Sequence, residues 1–313
     1  MTTAFTFPGQ GSQVVGMGKA LADAFFEANA VFEAVDDALG EKLSTVIFEG
    51  PIETLTLTEN AQPALMAVSL AAIRVLEARG VRIREKVAFV AGHSLGEYSA
   101  LAAAGALTVG DAAKLLRTRG RAMQQAVPFG VGAMAALLGM DLEQAREVAA
   151  EAAMSEVCET ANDNGGGQVV ISGHKAAVER AVEIAKAKGA KRAILLPVSA
   201  PFHCRLMEPA AKVMEMALAA AEIKEPHVPL IANVTAAPVT TPDEIRARLV
   251  EQVTGMVRWR ESVQMLAAGG VNTFVEIGAG KVLSGLAKRI VDGAETLTVG
   301  TPAEIDAAVV KLA

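Results

Sequence analysis

Cysteine is nearly absent from this sequence, since Cys158 and Cys204 are the only two among 313 residues. Two thiols in a chain of this length exclude a disulfide framework and indicate a reducing compartment. The first residues carry no basic segment of the kind that opens a signal peptide, and the apolar stretches are interrupted by Lys, Arg or Glu before they reach membrane-spanning length. We therefore expect a soluble cytoplasmic protein with no membrane partner.

An excess of positive charge is also missing. The net charge of -6 at pH 7 argues against nucleic acid as the main partner. It leaves room for an acidic protein partner, because a local basic patch can coexist with a negative total charge. The hydrophobic content of 52% supports a sizeable core, and 313 residues are enough for two domains or for one large domain with an insertion.

The stretch from Val87 to Tyr98 is the most informative one in the chain. A valine-rich apolar run ends in Gly-His-Ser-Leu-Gly and passes into a helical pattern. A G-x-S-x-G motif between a strand and a helix predicts a nucleophile elbow with Ser94 at its tip. The N–H of Leu95 and the start of the helix would then favour a developing oxyanion. The alternative is a glycine-bounded turn whose serine only caps the helix.

A second glycine-rich loop, Gly9 to Gln13, follows the first predicted strand. No Gly-Lys-Ser/Thr comes after it, so it fits a phosphate-binding loop poorly. It is either an ordinary turn into a helix or a loop that lies beside Ser94, where the Gln10 amide would be a polar contact.

The helix predicted over Asp111 to Val127 carries an arginine on its apolar face. Arg119 shares that face with the apolar residues four positions before and four positions after it. It is either a side chain that snorkels at the edge of the stripe or a partly buried cation that awaits a carboxylate. We expect Arg117 and Arg121 on the opposite, solvated face.

The pattern of apolar and polar residues changes at Gly130. Short apolar strands and two amphipathic helices follow in the order βαββαβ, the ferredoxin-like pattern, with a flexible polar turn over residues 162–167. We interpret residues 130–198 as a ferredoxin-like subdomain inserted into a larger unit. In residues 1–129 and 199–313 strands alternate with helices, which predicts an α/β fold with a mainly parallel sheet. We interpret these two segments as one α/β-hydrolase-like subdomain that carries the nucleophile elbow.

A serine nucleophile needs a general base, and the chain offers four histidines. His93 adjoins Ser94, so its side chain should diverge, while His174 and His227 have ordinary structural explanations at element starts. His203 follows a strand end, where a parallel α/β sheet places its ligands, and we predict it as the base; the alternative is a packed core histidine. No Asp or Glu fits the third position of an ordinary hydrolase triad. Either a backbone carbonyl orients the base, or this is not an ordinary esterase.

Several motifs, in order and over nearly the whole chain, resemble the malonyl-CoA:acyl-carrier-protein transacylases of bacterial fatty-acid synthesis. They are Phe7-Pro8-Gly9-Gln10-Gly11-Ser12-Gln13, Gly92-His93-Ser94-Leu95-Gly96-Glu97, Arg119-Gly120, Pro201-Phe202-His203, the Gln252 segment and Glu276-Ile277-Gly278-Ala279-Gly280-Lys281-Val282-Leu283. Each motif is moderately specific by itself, and together they are highly specific.

The resemblance implies roles for the residues around the nucleophile. Ser94 becomes acylated, and His203 is its base. The backbone carbonyl of Gln252 orients the histidine, which would fill the missing third position. Gln10 and the Leu95 N–H bound the oxyanion hole.

The resemblance also implies what the site binds. Arg119 pairs with the free carboxylate of the malonyl group, and Phe202 selects malonyl over its methyl-branched relative. The implied activity is transfer of malonyl from malonyl-CoA to the phosphopantetheine thiol of acyl carrier protein, with no metal and no tightly bound cofactor, and we expect a monomer. Because acyl carrier proteins are acidic, the basic run that contains Lys191 and Arg192 is a candidate docking patch, unless it is only a solvated helix end.

Two other functions compete with this interpretation. A serine esterase or thioesterase could use the same elbow, although a hydrolase of neutral esters has no use for a cation at Arg119. A non-catalytic acyl-binding protein could also keep this fold. The presence of Ser94, His203 and Arg119 together argues against the second.

Overall fold

The computed structural model of the protein describes residues 2–312. Within that range the strands form two separate sheets. The strands are β1 (Thr3–Phe7), β2 (Phe89–Gly92), β3 (Gly132–Leu138), β4 (Cys158–Asp163), β5 (Gln168–His174), β6 (Arg192–Leu195), β7 (Leu230–Ala232), β8 (Ala237–Val239), β9 (Thr273–Ile277) and β10 (Glu295–Val299). The predicted α/β architecture is confirmed.

Helices follow most of these strands. They are α1 (Lys19–Ala24), α2 (Phe26–Leu39), α3 (Leu43–Glu49), α4 (Ile52–Thr56), α5 (Thr58–Ala78), α6 (Ile83–Lys86), α7 (Gly96–Ala103), α8 (Val109–Gln125), α9 (Leu142–Ala153), α10 (Lys175–Ala187), α11 (Glu208–Ala220), α12 (Pro242–Thr254), α13 (Trp259–Ala268), α14 (Val282–Ile290) and α15 (Pro302–Leu312). The helix predicted over residues 111–127 corresponds to α8, which begins and ends two residues earlier.

The main sheet has the strand order β10-β9-β1-β2-β7-β8. Its neighbouring strands run parallel, except that β8 is antiparallel to β7. Every residue of β1 is buried, and strands buried on both faces require nearly continuous apolar sequence. Parallel strands end at the same edge of a sheet, so the loops after β1 and β2 lie together, and the His93 N–H donates to the Phe7 carbonyl at 3.0 Å.

Helix α5 is the central helix of the core. It packs against α2, α7 and α8. Among the described residues it is the helix long and apolar enough to cross a membrane, but 83% of its most apolar window is buried inside the protein. That degree of burial is characteristic of a core helix.

The smaller sheet has the order β4-β5-β3-β6, and every neighbouring pair is antiparallel. Helices α9 and α10 pack against each other and against these strands, and their apolar residues form a cluster of their own. The elements from β3 to β6 thus follow the order βαββαβ.

Strand β4 connects the smaller sheet to the segment around the start of α13, which packs against the main sheet. Arg260 of α13 donates to the Asp163 carboxylate at 2.7 Å, and the Asp163 N–H donates to the Val257 carbonyl at 2.9 Å. The Val257 N–H in turn donates to the Ala161 carbonyl at 2.9 Å. These contacts correct only the start of the polar turn predicted over residues 162–167, since residues 165–167 do form the turn between β4 and β5. The first residues of the predicted turn belong to β4 and are buried, because they form the junction between the two sheets.

Candidate active site

Ser94 lies in the tight turn between β2 and α7. Its backbone φ is 55°, a left-handed value that residues other than glycine rarely adopt. Two glycines make the turn possible. A Cβ on Gly92 would lie 1.9 Å from the Gly96 carbonyl carbon, and a Cβ on Gly96 would lie 2.3 Å from the Phe7 oxygen. The strand, turn and helix of a nucleophile elbow are therefore present.

Asn233, directly after β7, holds this turn in place. Its Oδ1 accepts a hydrogen bond from the Ser94 N–H at 2.7 Å, and its Nδ2 donates to the Gly92 carbonyl at 2.7 Å. Sequence reasoning missed this residue. The one available signal was its position, since polar side chains that follow parallel strands collect at the functional edge of a sheet.

His203 stands next to the serine. Its Nε2 is 2.8 Å from Ser94 Oγ, and its Nδ1 is 2.9 Å from the Gln252 carbonyl oxygen and 3.1 Å from that of Gly255. Two carbonyl acceptors at Nδ1 require a hydrogen there, so the neutral ring presents the Nε2 lone pair to the serine hydroxyl. Burial and the nearby Arg119 cation lower the pKa of His203 to about 3. The imidazole is therefore neutral and able to accept the hydroxyl proton.

Arg119 is only 1% exposed. Helix α8 comes close to the start of α5 because Gly120 has no side chain, and a Cβ there would lie 2.5 Å from the Glu59 Cα. This close approach encloses the guanidinium. Of the two readings of Arg119, the structure favours the buried cation over a side chain that snorkels to solvent.

The hydrogen bonds of Arg119 all go to neutral groups. Nη1 donates to Gln62 Oε1 at 2.8 Å, and Nη2 donates to Gln252 Oε1 at 2.8 Å and to Ser94 Oγ at 3.1 Å. In the described part of the chain no carboxylate forms an ion pair with it, and its Nε has no hydrogen-bond partner. A buried guanidinium without a counterion can receive a carboxylate, which an arginine binds in bidentate fashion.

Arg117 corrects another prediction. It was expected on a solvated face, but it is 7% exposed, donates to Asn60 Oδ1 at 2.6 Å and pairs with Glu41. Helix α8 packs against α2, α5 and α11, so more than one of its faces is covered. Arg121 does lie at the surface, where it pairs with Glu59.

A cavity of about 430 Å³ opens onto these groups. Its wall includes Gln10, Ser94, Leu95, Arg119, Phe202 and His203, and from the smaller sheet and its neighbouring segments Met134, Asn162 and Leu196. Apart from Gln252, every residue predicted to take part in catalysis or in acyl binding thus lines this one cavity between the two sheets. Gln252 contacts His203 and Arg119, which line it. Across residues 2–312 no group of three or more His, Cys, Asp or Glu side chains could hold a metal ion.

Gln10 and Leu95 lie on the wall next to Ser94. The Leu95 N–H, at the start of α7, makes no hydrogen bond within residues 2–312. It is available to a negative charge that develops beside the nucleophile. The Gln10 side-chain amide donates to Thr58 Oγ1 at 3.3 Å, so the side chain is held against the start of α5.

The other three histidines are not placed to act as the base. His93 Nε2 is 2.9 Å from Asn164 Oδ1, and its ring lies 5.6 Å from the Trp259 ring. Burial lowers the pKa of His93, although the hydrogen bond with Asn164 opposes the shift. His174 and His227 lie outside the cavity. His203 is therefore the histidine in contact with the nucleophile.

Lys191 and Arg192 are exposed at the start of β6, an edge strand of the smaller sheet. Within the described residues neither forms an ion pair, whereas Lys186 and Lys188 of the same basic run are paired with glutamates. Two unpaired cations beside an open strand edge are compatible with an acidic partner.

The chain is similar to known proteins over nearly its whole length. Residues 4–302 match the family described as Acyl transferase domain. A malonyl CoA-acyl carrier protein transacylase of Bacillus subtilis is 49% identical over 98% of this chain and 96% of its own. The crystal structure of an acyl-carrier-protein-S-malonyltransferase from Bartonella henselae is 60% identical, with a TM-score of 0.98 over 100% of this chain and 99% of that one.

A third similar protein was solved with its partner. It is a malonyl-transacylase in complex with a type II PKS acyl-carrier protein. It is 42% identical to this chain, with a TM-score of 0.96, and the match covers 99% of this chain and 100% of that one.

Proposed function

The chain belongs to the acyl transferase family and, within it, to the malonyl CoA-acyl carrier protein transacylases, and we propose that its malonyl transfer proceeds through an ester on Ser94. It is an enzyme, and it moves the malonyl group of malonyl-CoA to the phosphopantetheine thiol of an acyl carrier protein. The observation that carries the proposal is the convergence of Ser94, His203 and an unpaired Arg119 on one cavity. We further propose that the product serves fatty-acid chain elongation.

The first half-reaction loads the enzyme. His203 Nε2 takes the Ser94 hydroxyl proton, and Oγ attacks the thioester carbonyl carbon. The negative charge on the former carbonyl oxygen is stabilised by the Leu95 N–H, with Gln10 as the other boundary of that space. When the carbon–sulfur bond breaks, the protonated His203 returns the proton to the leaving CoA sulfur, and malonyl-Ser94 remains.

The second half-reaction is the first in reverse with another thiol. His203 takes the proton of the phosphopantetheine thiol, the sulfur attacks the ester carbonyl, and Ser94 leaves with the proton. A thioester is exchanged for a thioester, so the two sides are nearly balanced in free energy. The main demand on the protein is to keep water from the ester.

Arg119 supplies the selection of the acyl group. The malonyl carboxylate would pair with its guanidinium, whereas a neutral acyl chain would leave the buried cation without a counterion. Phe202, in the same wall and 8% exposed, limits the space beside His203. We propose that it disfavours a methyl branch on the acyl group.

The surface around Lys191 and Arg192 is the proposed contact for the carrier protein. Both cations are exposed and unpaired within the described residues. Their attraction for an acidic carrier would act mainly on the rate of encounter.

The division of the chain is part of the proposal. Residues 130–198 form a ferredoxin-like subdomain, supported by the order β4-β5-β3-β6 with antiparallel neighbours. Residues 1–129 and 199–313 form an α/β-hydrolase-like subdomain, supported by the elbow after β2. We also propose a monomeric, cytoplasmic enzyme without a tightly bound cofactor. The two cysteines are free and buried, in keeping with a reducing compartment.

The experiment that tests the function separates transfer from hydrolysis. The enzyme is incubated with malonyl-CoA in the presence and absence of holo-acyl carrier protein, and malonyl-carrier protein and free malonate are both measured. We expect fast formation of malonyl-carrier protein and little malonate without the carrier. Rapid release of malonate without the carrier would instead identify a thioesterase that uses the same elbow.

A further inference from the structure

Glu97 is a buried carboxylate next to the active site that the mechanism above does not use. It lies in the first turn of α7, is 1% exposed and is not in the cavity wall. One carboxylate oxygen accepts the Asn233 N–H at 2.6 Å, and the other accepts a hydrogen bond from Gln252 Nε2. Burial raises the pKa of Glu97, and the hydrogen bonds from Asn233 and Gln252, together with Arg119, limit that rise to about 8.

Both oxygens of Glu97 face donors. The hydrogen of a protonated Glu97 would find no acceptor among these partners, so the hydrogen-bonding groups fit the anion. Burying such an anion costs free energy, so we expect a structural or functional consequence to accompany it.

The consequence lies in the side-chain amide of Gln252. Its Nε2 donates to Glu97 and also to the Ser94 carbonyl at 2.9 Å. Both amide hydrogens are thereby used, and Oε1 must point the other way, where it accepts from Arg119 Nη2 at 2.8 Å. If the amide were reversed, its N–H groups would face the N–H donors of the guanidinium, and its oxygen would face two other acceptors.

The amide also keeps two opposite charges apart. If Glu97 paired directly with Arg119, the guanidinium would already have a counterion, and a substrate carboxylate would have to displace it. With Gln252 between them, Arg119 is held only by the neutral oxygens of Gln252 and Gln62 and by the serine hydroxyl. The cation is fixed in direction and remains open to a carboxylate.

We propose that Glu97 is a positioning residue for acyl selectivity, which acts by orienting the Gln252 amide so that its oxygen holds Arg119 where the substrate carboxylate binds. This inference rests on the proposed function, because it concerns the same malonyl group. It differs from the role of the Gln252 backbone, whose carbonyl contacts His203 and would be unaffected by a change of side chain.

The Glu97→Gln substitution tests the proposal. The new amide can accept through only one oxygen, so it cannot serve both Asn233 and Gln252. The Gln252 amide then loses one of its two acceptors and is held less firmly in its direction. We expect the ratio of kcat/KM for malonyl-CoA to the corresponding value for acetyl-CoA in Ser94 acylation to fall about tenfold or more, the effect of one charge-assisted hydrogen bond. The acetyl-CoA value should change little, because an acetyl group has no carboxylate.

A double-mutant cycle shows whether Glu97 acts through the amide. Gln252→Met removes the side-chain amide and keeps the backbone carbonyl, so it should also lower the ratio. In the Gln252→Met background, Glu97→Gln should lower it little further. If the two substitutions lower the ratio independently, so that their effects multiply in the double variant, the proposal is wrong. Equal losses of kcat/KM for malonyl-CoA and acetyl-CoA would also overturn it.

Glu276 provides a matched control. It is also fully buried and accepts two backbone N–H groups, those of Leu283 and Ser284 at the start of α14. Glu276→Gln should lower Tm without changing the selectivity ratio. If Glu97→Gln fails to fold, Glu97→Asp replaces it, because its shorter side chain keeps the charge but withdraws it from Gln252.

The two proposals fail in different ways. Wild-type enzyme that is not acylated by malonyl-CoA overturns the proposed function. Wild-type enzyme that is acylated, with the same selectivity in Glu97→Gln, overturns only the role of Glu97.

Discussion

Arg119 carries a buried positive charge in the middle of the site. Its burial lowers the pKa of the guanidinium, and Tyr98 and Glu97 oppose that shift. An uncompensated buried charge costs several kcal/mol, and here the groups that accept hydrogen bonds from the guanidinium are neutral amide and hydroxyl oxygens. In the proposed function a substrate with a carboxylate supplies the missing counterion, and this cost becomes the basis of selectivity.

Arg119→Ala should therefore remove the preference for malonyl. We expect kcat/KM for malonyl-CoA to fall by roughly 100-fold, the size expected when one partner of a buried charge pair is lost, with a much smaller effect on acetyl-CoA. Rates of Ser94 acylation with both substrates measure this. Arg121→Ala is the control, because Arg121 lies on the same helix but pairs with Glu59 at the surface. Equal losses with both substrates would contradict the assignment.

His203 gives a prediction for pH. Its pKa is lowered from 6.5 to about 3 by burial and by Arg119, so the folded enzyme keeps the base neutral under conditions where a free histidine is charged. The acylation rate should show no loss of base between about pH 7 and about pH 5. A rate that halves near pH 6.5 would show an unshifted histidine.

The lowered pKa of His203 also makes the stability of the folded protein depend on pH. The unfolded chain, with an ordinary histidine, binds the proton at higher pH than the folded chain does. The free energy of unfolding should therefore decrease as pH falls below 6.5, and His203→Gln should reduce this part of the dependence. Urea denaturation at several pH values measures it.

At the level of elements, the nucleophile elbow depends on glycine at two positions. A Cβ on Gly96 would lie 2.3 Å from the Phe7 oxygen, which is backbone and cannot move aside. Gly96→Ala should cost about 2 kcal/mol or more of unfolding free energy and should reduce Ser94 acylation. Gly285→Ala is the control, because it lies inside α14 with nothing within 4 Å of an added Cβ. It should be neutral or stabilising by roughly 0.5–1 kcal/mol. Equal stability of the two variants would contradict this account of the elbow.

The elements could be predicted where local sequence determines them. The elbow is marked by its glycines and by the valine-rich strand before it, and α8 by its apolar period. Burial of Arg117 could not be predicted, because α8 is covered by three other helices and the period shows only one of those faces. The turn at residues 165–167 could be predicted from its glycines. The burial of residues 162–164 could not, because the partners of Asp163 and Asn164, which are Arg260 and His93, are distant in the sequence.

At the level of the whole molecule, the active site lies where two sheets meet. The cavity is lined from both, and the Asp163–Arg260 ion pair joins them at one side. Sequence motifs identified the residues that we propose to react with or contact the substrate. They did not identify Gln62 and Asn233, and they gave Glu97 no role, because a residue that acts through another one has no signature of its own in a single sequence.

The surface at β6 gives a prediction at this scale. Charge reversal of Lys191 and Arg192 should raise KM for the acyl carrier protein and leave KM for malonyl-CoA unchanged, because the patch would act on encounter with the acidic protein. Steady-state kinetics with each substrate varied separately measures this. Lys212→Glu is the control, because Lys212 is an exposed lysine on α11. If the reversal changes neither constant, the carrier docks elsewhere.

The central claim is that Ser94 carries the malonyl group between the two thiols. Intact mass spectrometry after brief mixing with malonyl-CoA tests it most directly, with acetyl-CoA and Ser94→Ala as comparisons. We expect one malonyl adduct on the wild-type chain, none with acetyl-CoA on the same time scale, none on Ser94→Ala, and discharge of the adduct by holo-acyl carrier protein. The absence of an adduct on the wild type, or an adduct that persists in Ser94→Ala, would contradict it.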